Sequence, residues 1–340
     1  MITLLPLGEG APKGRMRAFQ RLQCQPFNFR QCPHPAFGHL PQRGKGDYQQ
    51  FATATYKLGK VEVTPLLFLL VLLAALLHAS WNLVVKITED RVLAMYVLQV
   101  LMGFMGIAML LVFPFPLPAA LPFAITSGVL HTSYNLFLAR AYRHGDLSLV
   151  YPVARGTAPL ITLVASRLFT TDVISAQATV GVVVLITGIW LIAVSGNIWR
   201  QDRLTFVYAL ITSCFIGTYT VVDGLGGRAS GDASGYTGLV FMLDALGMLA
   251  AGAYLRGFAI FPAAAKIWPR GIAGAAMSGS AYWIVIWAMS QAPIAAVAAL
   301  RETSILFALL FSAKVLKEKM GWRRLAGVVC VVAGAMALRG

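Results

Sequence analysis

"LVYPVARGTAPL", residues 149–160, reads as the middle of a membrane-spanning helix interrupted by one arginine, Arg155. A guanidinium at the bilayer centre costs at least about 2.5 kcal/mol on insertion scales, so a chain that keeps one there gives it a partner or a task. Displaced by 146 residues, the pattern returns: "YPVARGTAPL" falls on "VAALRETSIL", Arg155 on Arg301 and Thr157 on Thr303. The same displacement sets Asp172 on Glu318, Gly181 on Gly327 and Gly188 on Gly334. Such self-similarity marks an internal repeat. The two glycines of each half are seven residues apart and share a helix face, where small residues permit close helix approach.

Composition sets the class. Of 340 residues 58% are hydrophobic and only 12% charged, against about 25% charged in soluble domains. Apolar residues come in runs such as "PLLFLLVLLAALLHASWNLVV", residues 65–85, and "VGVVVLITGIWLIAV", residues 180–194. Runs of about 18 or more read as transmembrane helices. Ten spans are expected, at 65–86, 93–114, 120–142, 147–169, 174–195, 205–224, 235–255, 270–291, 294–315 and 321–339. The arginines then lie in the fourth and ninth. The fold class is all-α, a polytopic membrane protein of two five-helix repeats, 65–195 and 205–339. An odd number of spans per repeat inverts the second half, an arrangement shared by many secondary transporters.

Residues 1–63 differ from the rest: polar, basic and without helical periodicity. No secretory signal is legible there, so the tail is either a disordered appendage or the product of a start codon set too far upstream. Cys24 and Cys32, with His34 and His39, match no tight zinc spacing, and Cys214 and Cys330 sit in apolar helices as packing residues. No metal and no cofactor is expected.

The net charge of +15 does not imply nucleic acid, because the basic residues lie mostly in short loops. Odd-numbered loops carry fourteen Lys and Arg, from Lys86 to Arg324; even-numbered loops and the C-terminus carry three, Arg167, Arg228 and Arg339. Positive charge faces the cytoplasm, which puts the odd loops inside. The basic tail, with nine Lys and Arg, argues the reverse.

Several polar side chains interrupt the apolar spans. Arg155 and Arg301 either face a cavity and grip an anion through a planar fork of donors, or pair with an acid or with helix-end carbonyls. Asp223 and Asp244 are candidate partners; Glu302 is not expected to face its neighbour Arg301, since adjacent helix residues diverge. Pro152 and Pro159 bracket Arg155 and are expected to bend that helix; the ninth span has Ala298 and Ile305 instead. His78, Trp81 and Asn82 form a patch on the first span. His78 changes charge near neutral pH, and His78 and Glu302 are the candidate proton-coupling residues; an interhelical hydrogen bond is the alternative for His78. Tyr134, Tyr219, Tyr282 and Trp283 offer stacking surface, and Asn135 a polar group beside Tyr134.

"LLHASWNLVVK" at 76–86, "GDLSLVYPVARGTAPL" at 145–160 and "RETSILFALLFSAKVLKEKMGWRRLAGVVCVVAGAMAL" at 301–338 resemble EamA-type members of the drug/metabolite transporter superfamily. The resemblance spans 65–340 and excludes the tail. It implies ten helices, two five-helix repeats, a central cavity, movement of a small metabolite or drug, and no cofactor. The substrate is expected between helices 1, 3, 4 and 6, 8, 9, held by Trp81, Asn82, Tyr134, Asn135, Arg155, Tyr219, Trp283 and Arg301.

Two other classes are weighed. For an intramembrane enzyme, "AMSG" at 276–279 has Ala276 where the rhomboid serine motif has glycine, and every histidine precedes Ser278. No HExxH and no P-loop motif is present. A membrane scaffold without transport leaves the matched arginines unexplained. The expectation is an exporter of the cell inner membrane working by alternating access. Its partners are a small-molecule substrate and the lipid bilayer, with protons as candidate coupling ion and a homodimer as candidate assembly.

Overall fold

The structure, a computed structural model of the chain, describes residues 63–86, 88, 90–144, 147–194, 203–315 and 321–339. The expectations for the tail up to residue 62, for its cysteines and histidines, and for Glu318 lie outside them. The described residues are all-helical. In chain order they form α1 (Pro65–Lys86), α2 (Arg91–Val112), a short 3-10 turn (Pro118–Ala120), α3 (Leu121–His144), α4 (Leu147–Phe169), α5 (Ala176–Val194) and α6 (Arg203–Ala229). There follow α7 (Ala233–Arg256), α8 (Ile260–Gln291), α9 (Ile294–Arg301), α10 (Ser304–Val315) and α11 (Trp322–Ala337).

Among the described residues seven spans are long and apolar enough to cross a membrane: Pro65–Val85, Leu93–Val112, Ala176–Val194, Arg203–Ala229, Ala233–Arg256, Gly271–Gln291 and Ile294–Phe311. α11 is short, and α3 and α4 carry His131, Asn135 and Arg155. Those polar residues are buried, as are Thr205, Thr212, Thr220 and Asp223. Leu66, Leu111, Val129, Leu168 and Val329 are exposed instead. Apolar outside and polar inside is the distribution a bilayer imposes.

Three boundaries depart from expectation. α6 continues past Asp223 through Gly224, Gly226 and Gly227, which look like a helix stop. Each glycine instead makes room for a neighbour: Ile294 at Gly224, the Tyr236 ring at Gly226 and Ile286 at Gly227. α8 starts ten residues early, at Ile260, and carries Pro269 within it. The expected ninth span is broken after Arg301. There Glu302 and Thr303 donate their backbone N–H to Ala299 and Leu300, and the Thr303 hydroxyl donates to the Leu300 carbonyl at 2.7 Å. The expected proline distortion does not interrupt α4, which is helical through both prolines. The break falls in the half without prolines, where the Thr303 hydroxyl and N–H both bond to the Leu300 carbonyl.

The repeat glycines face each other. A Cβ at Gly188 would lie 2.7 Å from the Gly327 carbonyl oxygen, and one at Gly334 2.6 Å from that of Gly181. α5 and α11 therefore cross antiparallel with backbones in contact. α2 and α7 do likewise through Gly106 and Gly238. α4 runs parallel to α6, with Ala154 beside Ser213 and Ala158 beside Gly217. α3 runs parallel to α7 (Gly128 at Leu243, Thr132 at Gly247), and α2 to α8 (Val97 at Gly271, Met105 at Gly279).

One half-buried tie joins the halves at the end where α4, α6 and α8 finish. Arg228 donates to Asp172 through two nitrogens at 2.7 and 3.1 Å, to the Met289 carbonyl at 2.9 Å and to the Ala292 carbonyl at 2.8 Å. Asp172 also accepts the Ile294 N–H at 2.9 Å, capping the start of α9.

Candidate functional site

The helix break aims the Glu302 side chain at both arginines. Its Oε2 lies 3.1 Å from Arg155 Nε and its Oε1 3.4 Å from Arg301 Nη2. All three side chains are buried. This corrects the expectation that Glu302 cannot face its neighbour: the divergence of adjacent residues applies within a regular helix, and here the helix ends. It also corrects the acid partners. Among the described residues Asp223 and Asp244 do not pair with an arginine, because α6 and α7 turn them toward α3 and α8.

Arg155 Nη2 donates to His78 Nε2 at 2.7 Å. A guanidinium only donates, so Nε2 holds the lone pair and a neutral ring carries its proton on Nδ1. The Trp81 indole N–H approaches that same Nδ1 at 3.2 Å, so two donors compete for one lone pair. Arg155 is thus held between α1 and the α9 break.

A cavity of about 60 Å³ opens beside this cluster. Of the residues expected to form a site, His78, Trp81, Tyr134, Asn135, Tyr219 and Arg301 line it. Asn82, Arg155, Trp283 and Glu302 do not. The Asn82 amide donates to its own helix, at the His78 carbonyl, 2.7 Å. The Trp283 indole N–H donates to Ser234 at 3.0 Å, and its ring meets Phe113 edge-on. Tyr282, one position earlier, faces the cavity in its place. Among the described residues α4 contributes no lining side chain, contrary to expectation, since it packs behind α6. α2 and α7 contribute Gln99 and Asp244, because their glycine-lined crossing brings their polar faces inward.

The opposite wall is built on Asp223, wholly buried on α6. Its carboxylate accepts from His131 Nε2 at 3.1 Å, from the Tyr236 hydroxyl at 3.0 Å and from the Tyr282 hydroxyl at 2.5 Å. The His131 ring stacks on Tyr219, centroids 4.0 Å apart. Asp244 accepts one hydroxyl, that of Thr132, at 3.2 Å. Three lining side chains hold a buried polar atom without a partner: Arg301 Nε, Asn135 Nδ2 and Gln99 Oε1. Each such atom costs about 1–3 kcal/mol when left unsatisfied. Gln99 and the His131–Asp223 pair escaped sequence reasoning. A lone amide in the apolar run "LAMYVLQVLMGF" was the available signal for the first; the second spans 92 residues and has none.

The geometry is that of a membrane-embedded polar cavity enclosed by helices from both halves. Residues 203–339 match the model of the EamA-like transporter family. The resemblance read from the motifs is therefore supported over the second half, and the chain is a multi-pass helical membrane protein. No curated protein matches it. A solved crystal structure of a protein 15% identical aligns over 80% of this chain and 95% of its own, with a TM-score of 0.64. At that identity the likeness is one of fold.

Proposed function

We propose that the chain is a secondary transporter that moves a small metabolite or drug across the cytoplasmic membrane by alternating access, in the direction of export. The observation that carries this is Arg301, buried, lining the cavity and holding an unpartnered Nε. The family match supports transport as the activity class.

In this reading ten helices form two inverted halves, α1–α5 and α6–α11, with the broken pair α9–α10 counted as one. Three features support it. The pairing of helices survives exchange of the halves: α3 packs on α6 as α8 packs on α1, and α3 on α7 as α8 on α2. α5 and α11 cross through glycines that exchange under the same operation. α4 runs parallel to α6, α3 to α7 and α2 to α8, while α5 crosses α11 and α2 crosses α7 antiparallel, as alternating spans require. The odd-numbered loops face the cytoplasm. Rocking of one half on the other about the cavity gives the two access states. Glu302 and His78 act as counter-ion and neutral acceptor for Arg155, fixing the layer from which Arg301 projects.

The test is exchange in liposomes containing the full chain, over amino acids, organic acids, nucleosides and cationic drugs, with Arg301→Gln beside it. Saturable exchange that Arg301→Gln abolishes while the protein stays folded is expected. Absence of saturable exchange for every solute overturns the reading.

A further inference from the structure

We propose that Leu98 is the gate of an entry portal: its side chain separates the central cavity from a second, smaller cavity between α1, α2 and α8, at the end of the molecule that carries the odd-numbered loops. The portal rests on the transporter reading above only for the solute it admits.

The second cavity measures about 20 Å³. Its deep wall is Val85, Ala94, Leu98 and Gly274, all buried; its rim is Val84, Thr88, Ile267 and Gly271, all half-buried. Val85 lies in the last turn of α1 and Ala94 in the first turn of α2, while Thr88 belongs to the loop between them. On α8 the half-buried Ile267 and Gly271 precede the buried Gly274, so the cavity runs inward from the first loop. The central cavity, of about 60 Å³, lies deeper, with Gln99 on α2 and Ser278 on α8. Leu98 lines both and is, among the described residues, the one side chain that the two linings share.

What surrounds Leu98 decides whether it can move. α2 and α8 touch at Gly271, where a Cβ would lie 2.5 Å from Val97 Cγ1. Nearly one turn further they part. Among the described residues a Cβ at Gly274 would meet one neighbouring atom within 4 Å, Leu98 Cδ1 at 3.4 Å, an ordinary contact. Side chains in a close-packed interior are pinned by their neighbours; Leu98 instead faces a glycine and has a cavity on either side. A turn between staggered rotamers carries its isobutyl group out of the partition and joins the two cavities.

The two ends of the molecule are also held unequally. At the portal end Arg256, the last residue of α7, donates to Asp90, the N-cap of α2, at 2.7 and 3.3 Å. This ion pair is more exposed than that of Arg228 with Asp172 at the other end, and exposed pairs contribute little to stability. The portal end is therefore the weaker closure.

The experiment uses the purified full chain in detergent, with its four cysteines replaced by alanine and Ser278→Cys as a reporter in the central cavity. It reads the rate of alkylation by iodoacetamide, which is small, neutral and water-soluble. Leu98→Ala is expected to raise that rate at least tenfold. Val97→Ala, which trims the adjacent buried side chain that lines neither cavity, is expected to stay within twofold of the reporter alone. Gly274→Val, which fills the smaller cavity, is expected to lower the rate at least threefold by itself and to cancel the gain of Leu98→Ala. Should Leu98→Ala fail to fold, Gly274→Val alone decides. An unchanged rate in Leu98→Ala or in Gly274→Val, an equal rise in Val97→Ala, or a rise in Leu98→Ala that survives Gly274→Val overturns the proposal. The alkylation needs no transported solute. Gated alkylation without liposome exchange therefore overturns the transporter reading and leaves the portal standing. Exchange with alkylation indifferent to Leu98 and Gly274 leaves transport standing and overturns the portal.

Discussion

Glu302 is the residue on which the arginine layer depends. It compensates two buried guanidiniums, and the price of removing one member of such a buried network is about 3–5 kcal/mol. Glu302→Gln is therefore expected to melt well below wild type in detergent, with Arg301→Gln, which leaves Glu302 paired with Arg155, closer to wild type. Equal melting of Glu302→Gln and wild type would remove the counter-ion role. The local sequence "RETS" discloses the charges but not their pairing. That pairing follows from a helix end between Leu300 and Ser304, produced by hydrogen bonds that Thr303 makes to the preceding turn. The His78 tautomer was equally hidden, since it is set by a donor 77 positions away.

At the scale of elements, the glycine faces of α5 and α11 make the most extensive contact between the halves. The seven-residue spacing announced a face for close approach; the structure adds that each glycine meets the repeat counterpart of the other glycine on its own helix. Gly188→Ala places a methyl 2.7 Å from the Gly327 carbonyl, against backbone that cannot yield. Overpacking of this kind costs about 1–3 kcal/mol, and a lowered melting temperature is expected. Gly321→Ala, where a Cβ meets nothing within 4 Å, is expected to melt as wild type. A Gly188→Ala protein as stable as Gly321→Ala would mean that α5 and α11 are free to separate. The long reach of α6 and the early start of α8 were not legible, because glycine and proline act as stops only when nothing packs on them.

For the whole molecule, the Arg228–Asp172 tie gathers the α4–α5 connection and the ends of α6, α8 and α9 into one bonded cluster. Ser230 lies buried beside it. If this cluster holds that end of the cavity shut, a cysteine at position 230 reacts slowly with a water-soluble maleimide. Asp172→Asn, which removes the paired charge and half of the bidentate contact, is expected to raise that rate at least tenfold. An unchanged rate would mean that packing alone closes this end.

Composition and the periodic apolar runs settled that the chain is helical and membrane-bound, because the bilayer leaves a span little choice but length and hydropathy. The 146-residue match located the paired arginines and the crossing glycines, since a repeat is a property of order along the chain. Which acid meets which arginine, and which aromatic faces the cavity, came only with the tertiary structure. Neighbouring Tyr282 and Trp283 have like chemistry, and one helix rotation decides between them. The assembly of Gln99, Asn135, Asp244 and Arg301 around one cavity joins α2, α3, α7 and α9, which are distant in sequence. Such a site exists only once the helices pack, because its physical basis is buried polar atoms left for a guest to complete.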